Sequence, residues 1–190
     1  MTIVAVLDAN VLFPMYLRDT LLRLARTGCF RLHWSNRILD EMTRNLVSGH
    51  RMTREGADRL EAKMRATFPE AMVLDWERFE AGMTNDSKDR HVAAAAAAIE
   101  ASVIVTRNIK DFKSLPSGIS AVTPDAFLIS LLESHPEEVT DALETQSRGY
   151  RRPPATTMEL AGWLAETAPE FVARIAEYFA QPKALGSPAP

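Results

Sequence analysis

The first residues of the chain place a carboxylate directly after an apolar, β-branched run. Residues Ile3–Leu7 read Ile-Val-Ala-Val-Leu, and Asp8 follows at once. Such a run is typical of a parallel strand that is buried on both faces. In an open α/β sheet, ligands bind outside the carboxyl ends of the strands. The sequence therefore predicts that Asp8 lies at the mouth of a site, where its charge is paired, hydrogen-bonded or metal-bound.

Strand-like and helix-like segments alternate from this run to about residue 133. The pattern favours a doubly wound, three-layer α/β/α domain with a central, mostly parallel sheet of about five strands. Pro14 favours a loop over 11–17. The remaining predicted strands are 30–34, 71–74, 102–106 and 121–122, and the predicted helices are 19–26, 36–47, 53–68, an alanine-rich helix after residue 89, and 124–132.

The pattern becomes purely helical after residue 133. Apolar periodicity and proline positions predict helices over 136–146, 157–168 and 169–179. We expect an α/β domain over 1–133, a helical C-terminal extension over 134–181, and a flexible tail over 182–190, which is rich in Pro, Ala, Gly and Ser. No motif in the extension identifies its role.

Composition and charge exclude several classes of protein. The formal net charge is -3, which argues against a broadly basic nucleic-acid-binding surface. An acidic cleft that binds cations can still accept a nucleic acid. The single cysteine, Cys29, excludes an internal disulfide, and no apolar run reaches the length of a membrane span. We expect a soluble, cytoplasmic protein that has no contact with a membrane.

Acidic and amide side chains recur where the predicted strands and helices meet. Taken singly, each has an ordinary interpretation as a solvated helix residue, a helix cap or a turn residue. Three or four acids at one sheet edge would repel one another and stay ionised only if divalent cations compensated them. Oxygen ligands of this kind suit Mg²⁺ and Mn²⁺. The residues concerned are Asp8, Asn10, Glu41, Asp86, Asp89, Asn108 and Asp111.

Four segments in this order resemble the motifs of PIN domains. They are Leu7-Asp8-Ala9-Asn10-Val11-Leu12, residues 35–41, Asp86-x-x-Asp89-Arg90-His91-Val92 with its alanine-rich helix, and Val105-Thr106-Arg107-Asn108-x-x-Asp111-Phe112. PIN domains are metal-dependent ribonucleases, and many are VapC-type toxins of bacterial toxin–antitoxin pairs. The resemblance covers residues 2 to about 130. It implies a Mg²⁺-dependent endoribonuclease (Mn²⁺ being a possible substitute) with an RNA substrate, a cognate antitoxin and a homodimeric state.

The resemblance also implies roles for particular residues. Asp8, Glu41 and Asp89 match the three central acids of the family, and Asp8 and Asp89 would be the metal ligands. Many relatives carry Asp at the position of Asn108, whereas here an acid comes only at Asp111. Either residue can fill the fourth position, and the implied catalytic set is completed with Asp111. The residues implied to have secondary roles are Asn10, Asp86, Arg107 and Asn108.

Three cationic or titratable features stand beside this pattern. Arg107 is expected either to contact a phosphate or to pair with a neighbouring acid. The basic cluster Arg148-Gly149-Tyr150-Arg151-Arg152 can bind RNA phosphates through Arg148, Arg151 and Arg152 and stack a base on its tyrosine, or form a solvated loop or partner contact. His91 follows Asp89 by two residues, so on a helix it is expected to point away from that acid.

Other functions remain compatible with the same residues. A PIN-type RNA-processing nuclease outside any toxin–antitoxin pair would share the same acids. A non-catalytic scaffold that binds RNA or protein is compatible with Asn108. A haloacid-dehalogenase-type phosphatase also begins with a strand that ends in Asp, but it requires a second Asp where this chain has Asn10. That requirement argues against the phosphatase.

Overall fold

Five parallel strands form a single sheet in the computed structural model, which describes residues 2–180. They are β1 (Ile3–Leu7), β2 (Phe30–Ser35), β3 (Met72–Val73), β4 (Val103–Val105) and β5 (Ser120–Val122). Their order is β3-β2-β1-β4-β5, and every neighbouring pair is parallel. The predicted α/β class and the mostly parallel, five-stranded sheet are confirmed.

Ten α-helices surround and extend this sheet within the described residues. None of them is both long enough and apolar enough to cross a lipid bilayer. Ser35 begins one of them with its hydroxyl, which accepts a hydrogen bond from the Ile38 amide. The helices are α1 (Ala9–Leu12), α2 (Met15–Arg26), α3 (Asn36–Ser48), α4 (Arg54–Thr67), α5 (Glu77–Glu80), α6 (Arg90–Ala98), α7 (Pro124–Ser134), α8 (Pro136–Arg148), α9 (Thr157–Leu164) and α10 (Pro169–Ala180).

The strand order creates a crevice at the carboxyl end of β1. The chain leaves β1 for β2 on one side of the sheet and later returns to place β4 on the other side. Such a reversal is where open α/β sheets bind ligands. Asp8 lies at this point, and its backbone amide donates to the Val105 carbonyl at 3.1 Å. The topology thus places the end of β1 beside the end of β4.

The predicted loop over 11–17 is wrong. The chain forms α1 directly after Asp8 and begins α2 at Met15, with Pro14 at the N-cap position, where its missing amide is tolerated. The buried Arg18 guanidinium donates to the carbonyls of Leu12 at 2.6 Å and Phe13 at 3.1 Å. Those bonds satisfy carbonyls that the break between the two helices would otherwise leave unpaired.

The C-terminal helices pack onto the α/β part through buried polar contacts. Gln146 of α8 is fully buried, and its side chain bonds the Thr20 hydroxyl at 2.8 Å and the Tyr16 carbonyl at 3.1 Å. Asp125 of α7 accepts a hydrogen bond from the Phe171 amide at the start of α10, at 2.8 Å. The expected flexible tail over 182–190 lies outside the described residues.

Candidate active site

Six of the predicted site residues line one cavity of about 540 Å³ at the carboxyl edge of the sheet. The cavity is acidic at its centre, because four carboxylates enter it from four different segments of the chain. Cationic side chains and a histidine complete the wall. The lining residues are Asp8, Asn10, Arg37, Glu41, Arg44, Lys88, Asp89, His91, Asn108 and Asp111.

Asp8 is the most deeply placed acid of the cavity. Its side chain is 2% exposed, and its Oδ2 accepts hydrogen bonds from Asn10 Nδ2 at 2.6 Å and Thr106 Oγ1 at 2.7 Å. Burial raises the pKa of Asp8 to about 6, and the Glu41 charge adds to the rise, while the Thr106 bond opposes it. Both side-chain bonds use Oδ2, and hydrogen bonds from the backbone amides of Ala9 and Asn10 also oppose the rise in the Asp8 pKa.

Asp89 occupies the N-cap position of α6 but does not cap it. Its side chain accepts no hydrogen bond from the helix backbone. Burial raises the pKa of Asp89 to about 6, and the charges of Asp8, Asp111 and Asp86 act in the same direction. A partly buried carboxylate that neither caps a helix nor forms an ion pair costs free energy to ionise. Asp89 is therefore available to a cation.

Asp86 lies in the loop before α6 and outside the cavity wall. Its side chain is exposed and accepts a hydrogen bond from the Lys88 amide at 3.0 Å. Its backbone amide donates to the Asp111 carbonyl at 3.1 Å. Asp86 thus helps to shape the loop that carries Asp89. Its negative charge also raises the pKa of Asp89.

Glu41 extends from α3 and meets His91 in the cavity. The Glu41 pKa is raised by burial and by Asp89, whereas Arg44 and Arg37 lower it. His91 is buried, its Nδ1 donates to the Lys88 carbonyl at 2.9 Å, and its Nε2 lies 3.5 Å from Glu41 Oε2. Burial lowers the pKa of His91 to about 4, so the ring is neutral at neutral pH.

The expectation that His91 points away from the site is wrong. Side chains two residues apart diverge only where both residues are helical. Asp89 has φ of -106° and ψ of 3°, which lies outside the helical geometry of α6. The turn therefore directs both the Asp89 carboxylate and the His91 ring into the cavity.

Asn108 and Asp111 reach the cavity together from the turn after β4. The Asn108 amide side chain donates to Asp111 Oδ2, and the Asn108 backbone amide donates to Thr106 Oγ1 at 3.0 Å. A 3-10 turn over Ile109–Phe112 brings Asp111 back beside Asn108. The two candidates for the fourth position are thus hydrogen-bonded neighbours.

Sequence reasoning missed the cations of the cavity wall and a buried hydroxyl. Arg37 and Arg44 lie four residues before and three residues after Glu41, a spacing that places all three on one helix face. That spacing could have predicted that the two arginines lie beside Glu41. Thr106 is fully buried and bonds both Asp8 and Asn10. Its position at the end of β4, opposite the end of β1, was the corresponding signal.

The remaining cationic candidates lie outside the acidic cavity. Arg107 makes no ion pair within residues 2–180, and its side chain lines a neighbouring cleft instead. Arg148 pairs with Glu144 at 2.9 Å, and Arg151 and Arg152 are exposed. Tyr150 donates its hydroxyl to Asp19 at 2.7 Å and packs edge-on against Tyr16, so it is a packing residue.

The donor set of the cavity fits a hard divalent cation. The converging donors are carboxylate and amide oxygens, which Mg²⁺ prefers. Within residues 2–180, no three His, Cys, Asp or Glu side chains are close enough together to hold one ion as a closed cage. Mg²⁺ does not need such a cage, because it keeps several waters and takes one or two carboxylates. Asp8 and Asp89, whose pKa values are raised by burial and by neighbouring acids, fit that need.

Comparison with known proteins places these observations in a family. Residues 4–110 match the profile of a PIN domain, and residues 124–177 match that of the VapC50 C-terminal domain. A protein of Mycobacterium tuberculosis (strain ATCC 25618 / H37Rv) with the name "Putative ribonuclease VapC50" is 37% identical over 112 residues, which are 57% of this chain. The match spans 66% of that relative, just under two thirds of its length. No solved structure matched the chain.

Proposed function

This chain belongs to the PIN domain family, and on that premise we propose that it is a Mg²⁺-dependent endoribonuclease that hydrolyses RNA phosphodiester bonds. The observation that carries the proposal is the convergence of Asp8, Glu41, Asp89 and Asp111 on one cavity. The relative's name, which is that of a ribonuclease, supports the same activity. In domain terms, we propose a nuclease unit over 1–133 and a helical extension over 134–181.

Asp8 and Asp89 are the residues that would hold the metal ion. A bound Mg²⁺ supplies Lewis acidity toward the phosphate and lowers the pKa of a coordinated water. Asn10 and Thr106 fix the Asp8 carboxylate through their bonds to Oδ2, so the carboxylate is oriented in advance. Asn108 holds Asp111 in the same way.

The other residues of the cavity act on the substrate and on protons. Arg44 and Lys88 place positive charges beside the acids, where they can bind the phosphates of an RNA strand, and Arg37, which pairs with Glu80 at 3.1 Å, adds a third. Glu41 has a raised pKa and lies partly exposed in the cavity, so it is suited to accept a proton from the attacking water. The neutral His91 ring lies beside Glu41, with its Nε2 3.5 Å from Glu41 Oε2.

We further propose that the protein is the toxin of a type II toxin–antitoxin pair and acts in the cytoplasm as a homodimer with a cognate antitoxin. The VapC-type name of the relative supports this assignment. An RNA-processing nuclease outside such a pair would use the same acids. A short upstream gene whose protein product has a DNA-binding N-terminus would favour the toxin over the RNA-processing nuclease.

RNA cleavage tests the proposed activity directly. We expect the wild-type protein to cleave RNA with Mg²⁺, and to lose cleavage with EDTA. Glu41→Gln should lower the rate by about 10²- to 10⁴-fold, because it removes the proposed proton acceptor. Asp40→Asn is the matched control, since Asp40 precedes Glu41 on α3 but is exposed and outside the cavity. Cleavage that persists in EDTA or in Glu41→Gln would contradict the mechanism.

The pKa values of the two proposed ligands predict a pH-dependent stabilisation by Mg²⁺. Asp8 and Asp89 have pKa values near 6 and must be ionised to bind the ion. Below pH 6, protons compete with Mg²⁺, and the affinity should fall by about tenfold per pH unit for each carboxylate that must deprotonate. The increase in unfolding temperature on adding Mg²⁺ should therefore be large at about pH 7.5 and small at about pH 5.

The same measurement without Mg²⁺ provides the control. Raised carboxyl pKa values make the metal-free protein lose stability as the pH rises from 3.8 to about 6. The lowered His91 pKa acts in the opposite direction. As the pH falls from 6.5 toward 4, the ring gains a proton in the unfolded state but stays neutral in the fold, so stability falls. Subtracting the metal-free curve removes both effects. An Mg²⁺ increment that does not change with pH would show that these acids are not the ligands.

A further inference from the structure

A second cleft, of about 430 Å³, lies beside the acidic cavity, and the C-terminal region forms part of its wall. Its walls come from the α1–α2 junction, the end of α3, Arg107, and the end of α9 with the turn that follows. We call it the α9 cleft. Its lining residues are Phe13, Pro14, Met15, Tyr16, Leu17, Arg18, Leu46, Arg51, Met52, Arg107, Trp163, Glu166 and Thr167.

Hydrogen bonds connect the α9 cleft to the acidic cavity. The Arg107 backbone amide donates to Asn10 Oδ1 at 3.0 Å, and Asn10 Nδ2 donates to Asp8 Oδ2. Arg107 therefore stands at the boundary between the two spaces. A ligand that extends from the acids past Arg107 enters the α9 cleft.

An exposed tryptophan dominates one wall of this cleft. Trp163 is 52% exposed, whereas Trp34 and Trp76 are buried in the core. Tyr16 holds the Trp163 indole from the side, with ring centroids 4.7 Å apart and an interplanar angle of 77°. Edge-on support of this kind fixes the ring while leaving much of its surface accessible. A fixed, accessible indole is a platform on which a planar group can stack.

The charges of the cleft favour an anionic ligand. Arg51 and Arg107 form no ion pair within residues 2–180, whereas the buried Arg18 is occupied by the Leu12 and Phe13 carbonyls. Glu166 is the single acid in the lining. Two available guanidinium groups beside an aromatic platform match the combination that binds single-stranded nucleic acids, with phosphates on cations and a base on the ring.

We propose that the α9 cleft binds an unpaired nucleotide of the RNA substrate that flanks the scissile phosphate. The base lies against Trp163, and the phosphates that connect it to the acidic cavity contact Arg107 and Arg51. This inference rests on the proposed ribonuclease function and assigns the C-terminal region a part in substrate recognition. A cleft of this volume accommodates one nucleotide. Stacking on a side chain requires a base that is free of a duplex.

Tryptophan fluorescence tests this assignment on the full chain. A short single-stranded oligoribonucleotide, titrated in EDTA to suppress cleavage, should quench the Trp163 emission. Trp163→Ala should remove that quenching and weaken binding by about tenfold or more. Trp163→Phe should retain most of the affinity, which separates lost stacking from a folding defect. Met158→Ala is the matched control, because Met158 is an exposed residue of α9 outside the cleft.

Substitution of the two arginines and a comparison of duplex with single-stranded RNA test the proposal independently. Arg107→Ala and Arg51→Ala should each weaken binding and reduce the salt dependence by about one released counterion. A blunt duplex of the same sequence should quench weakly. Equal quenching by the duplex, or unchanged RNA affinity in Trp163→Ala, would overturn the proposal. The proposal would also be overturned if a protein segment quenched the Trp163 emission and RNA did not.

Cleavage assays separate this proposal from the proposed function. If the wild-type protein binds the oligonucleotide at Trp163 but cleaves no RNA, the ribonuclease function fails and the nucleotide site stands. If the wild type cleaves RNA and Trp163→Ala cleaves it with unchanged KM and kcat, the ribonuclease function stands and the α9 cleft assignment fails.

Discussion

Asp8→Asn is expected to slow RNA cleavage severely and, at the same time, to raise the unfolding temperature of the metal-free protein. The expected loss of rate is about 10³-fold or more, because the substitution removes a charged metal ligand and weakens the electrostatic stabilisation of the reaction. The expected gain in stability follows from the burial of the carboxylate. Its pKa of about 6, against an ordinary value of 3.8, corresponds at neutral pH to up to about 3 kcal/mol of destabilisation.

The geometry around Asp8 allows Asn to take its place. The Asn oxygen can accept the hydrogen bonds that Asn10 and Thr106 now donate to Oδ2. Removing the charge at position 8 relieves its repulsion toward the carboxylates of Glu41 and Asp89. An active site that gains stability when one acid is neutralised is strained for its function.

Thermal unfolding with and without Mg²⁺, together with the cleavage assay, checks this prediction. Asp8→Asn should unfold at a higher temperature than the wild type in EDTA and should show little further increase with Mg²⁺. Asp40→Asn, which removes an exposed acid outside the cavity, should change neither quantity. A destabilised Asp8→Asn protein would show that the carboxylate has a structural role in the fold.

The sheet could be predicted from the sequence because parallel strands carry a strong local signal. Ile3–Leu7 and Val103–Val105 are short apolar runs that end in polar residues, and both form strands. The break at Pro14 was misinterpreted because its consequence depends on Arg18, whose guanidinium satisfies the free carbonyls from one turn into the next helix. The single turn α5 is too short to carry a periodic pattern. Tertiary contacts such as those of the Arg18 guanidinium produce no pattern in the local sequence.

The candidate site was predictable where an acid follows a strand or opens a helix. Asp8, Asp89 and Asp111 have such positions, and the structure brings all three to one cavity. His91 could not be placed correctly, because its direction depends on the non-helical backbone of the preceding turn. The α9 cleft could not be predicted either, since Trp163 and Arg107 are distant in sequence and line one cleft only in the folded chain, where α9 packs against α2. Local patterns identify the chemistry, and tertiary packing decides which side chains share a space.

Phe171→Ala is expected to destabilise the whole protein, because the C-terminal helices are continuous with the core. Phe171 is 1% exposed at the start of α10, which packs on α7. On α7, Phe127 meets Phe30 of β2 edge-on, with ring centroids 4.9 Å apart. Removing a buried phenyl ring costs about 3–5 kcal/mol, which corresponds to a decrease of about 10 °C in unfolding temperature for a chain of this size.

The shape of the unfolding curve distinguishes this continuity from a separate C-terminal unit. If the helices share the core of the sheet, Phe171→Ala should shift one cooperative transition as a whole. An independent unit would instead unfold first and leave a second transition at the wild-type temperature. Tyr178→Ala, on the same helix but 37% exposed, is the matched control and should cost less than about 1 kcal/mol.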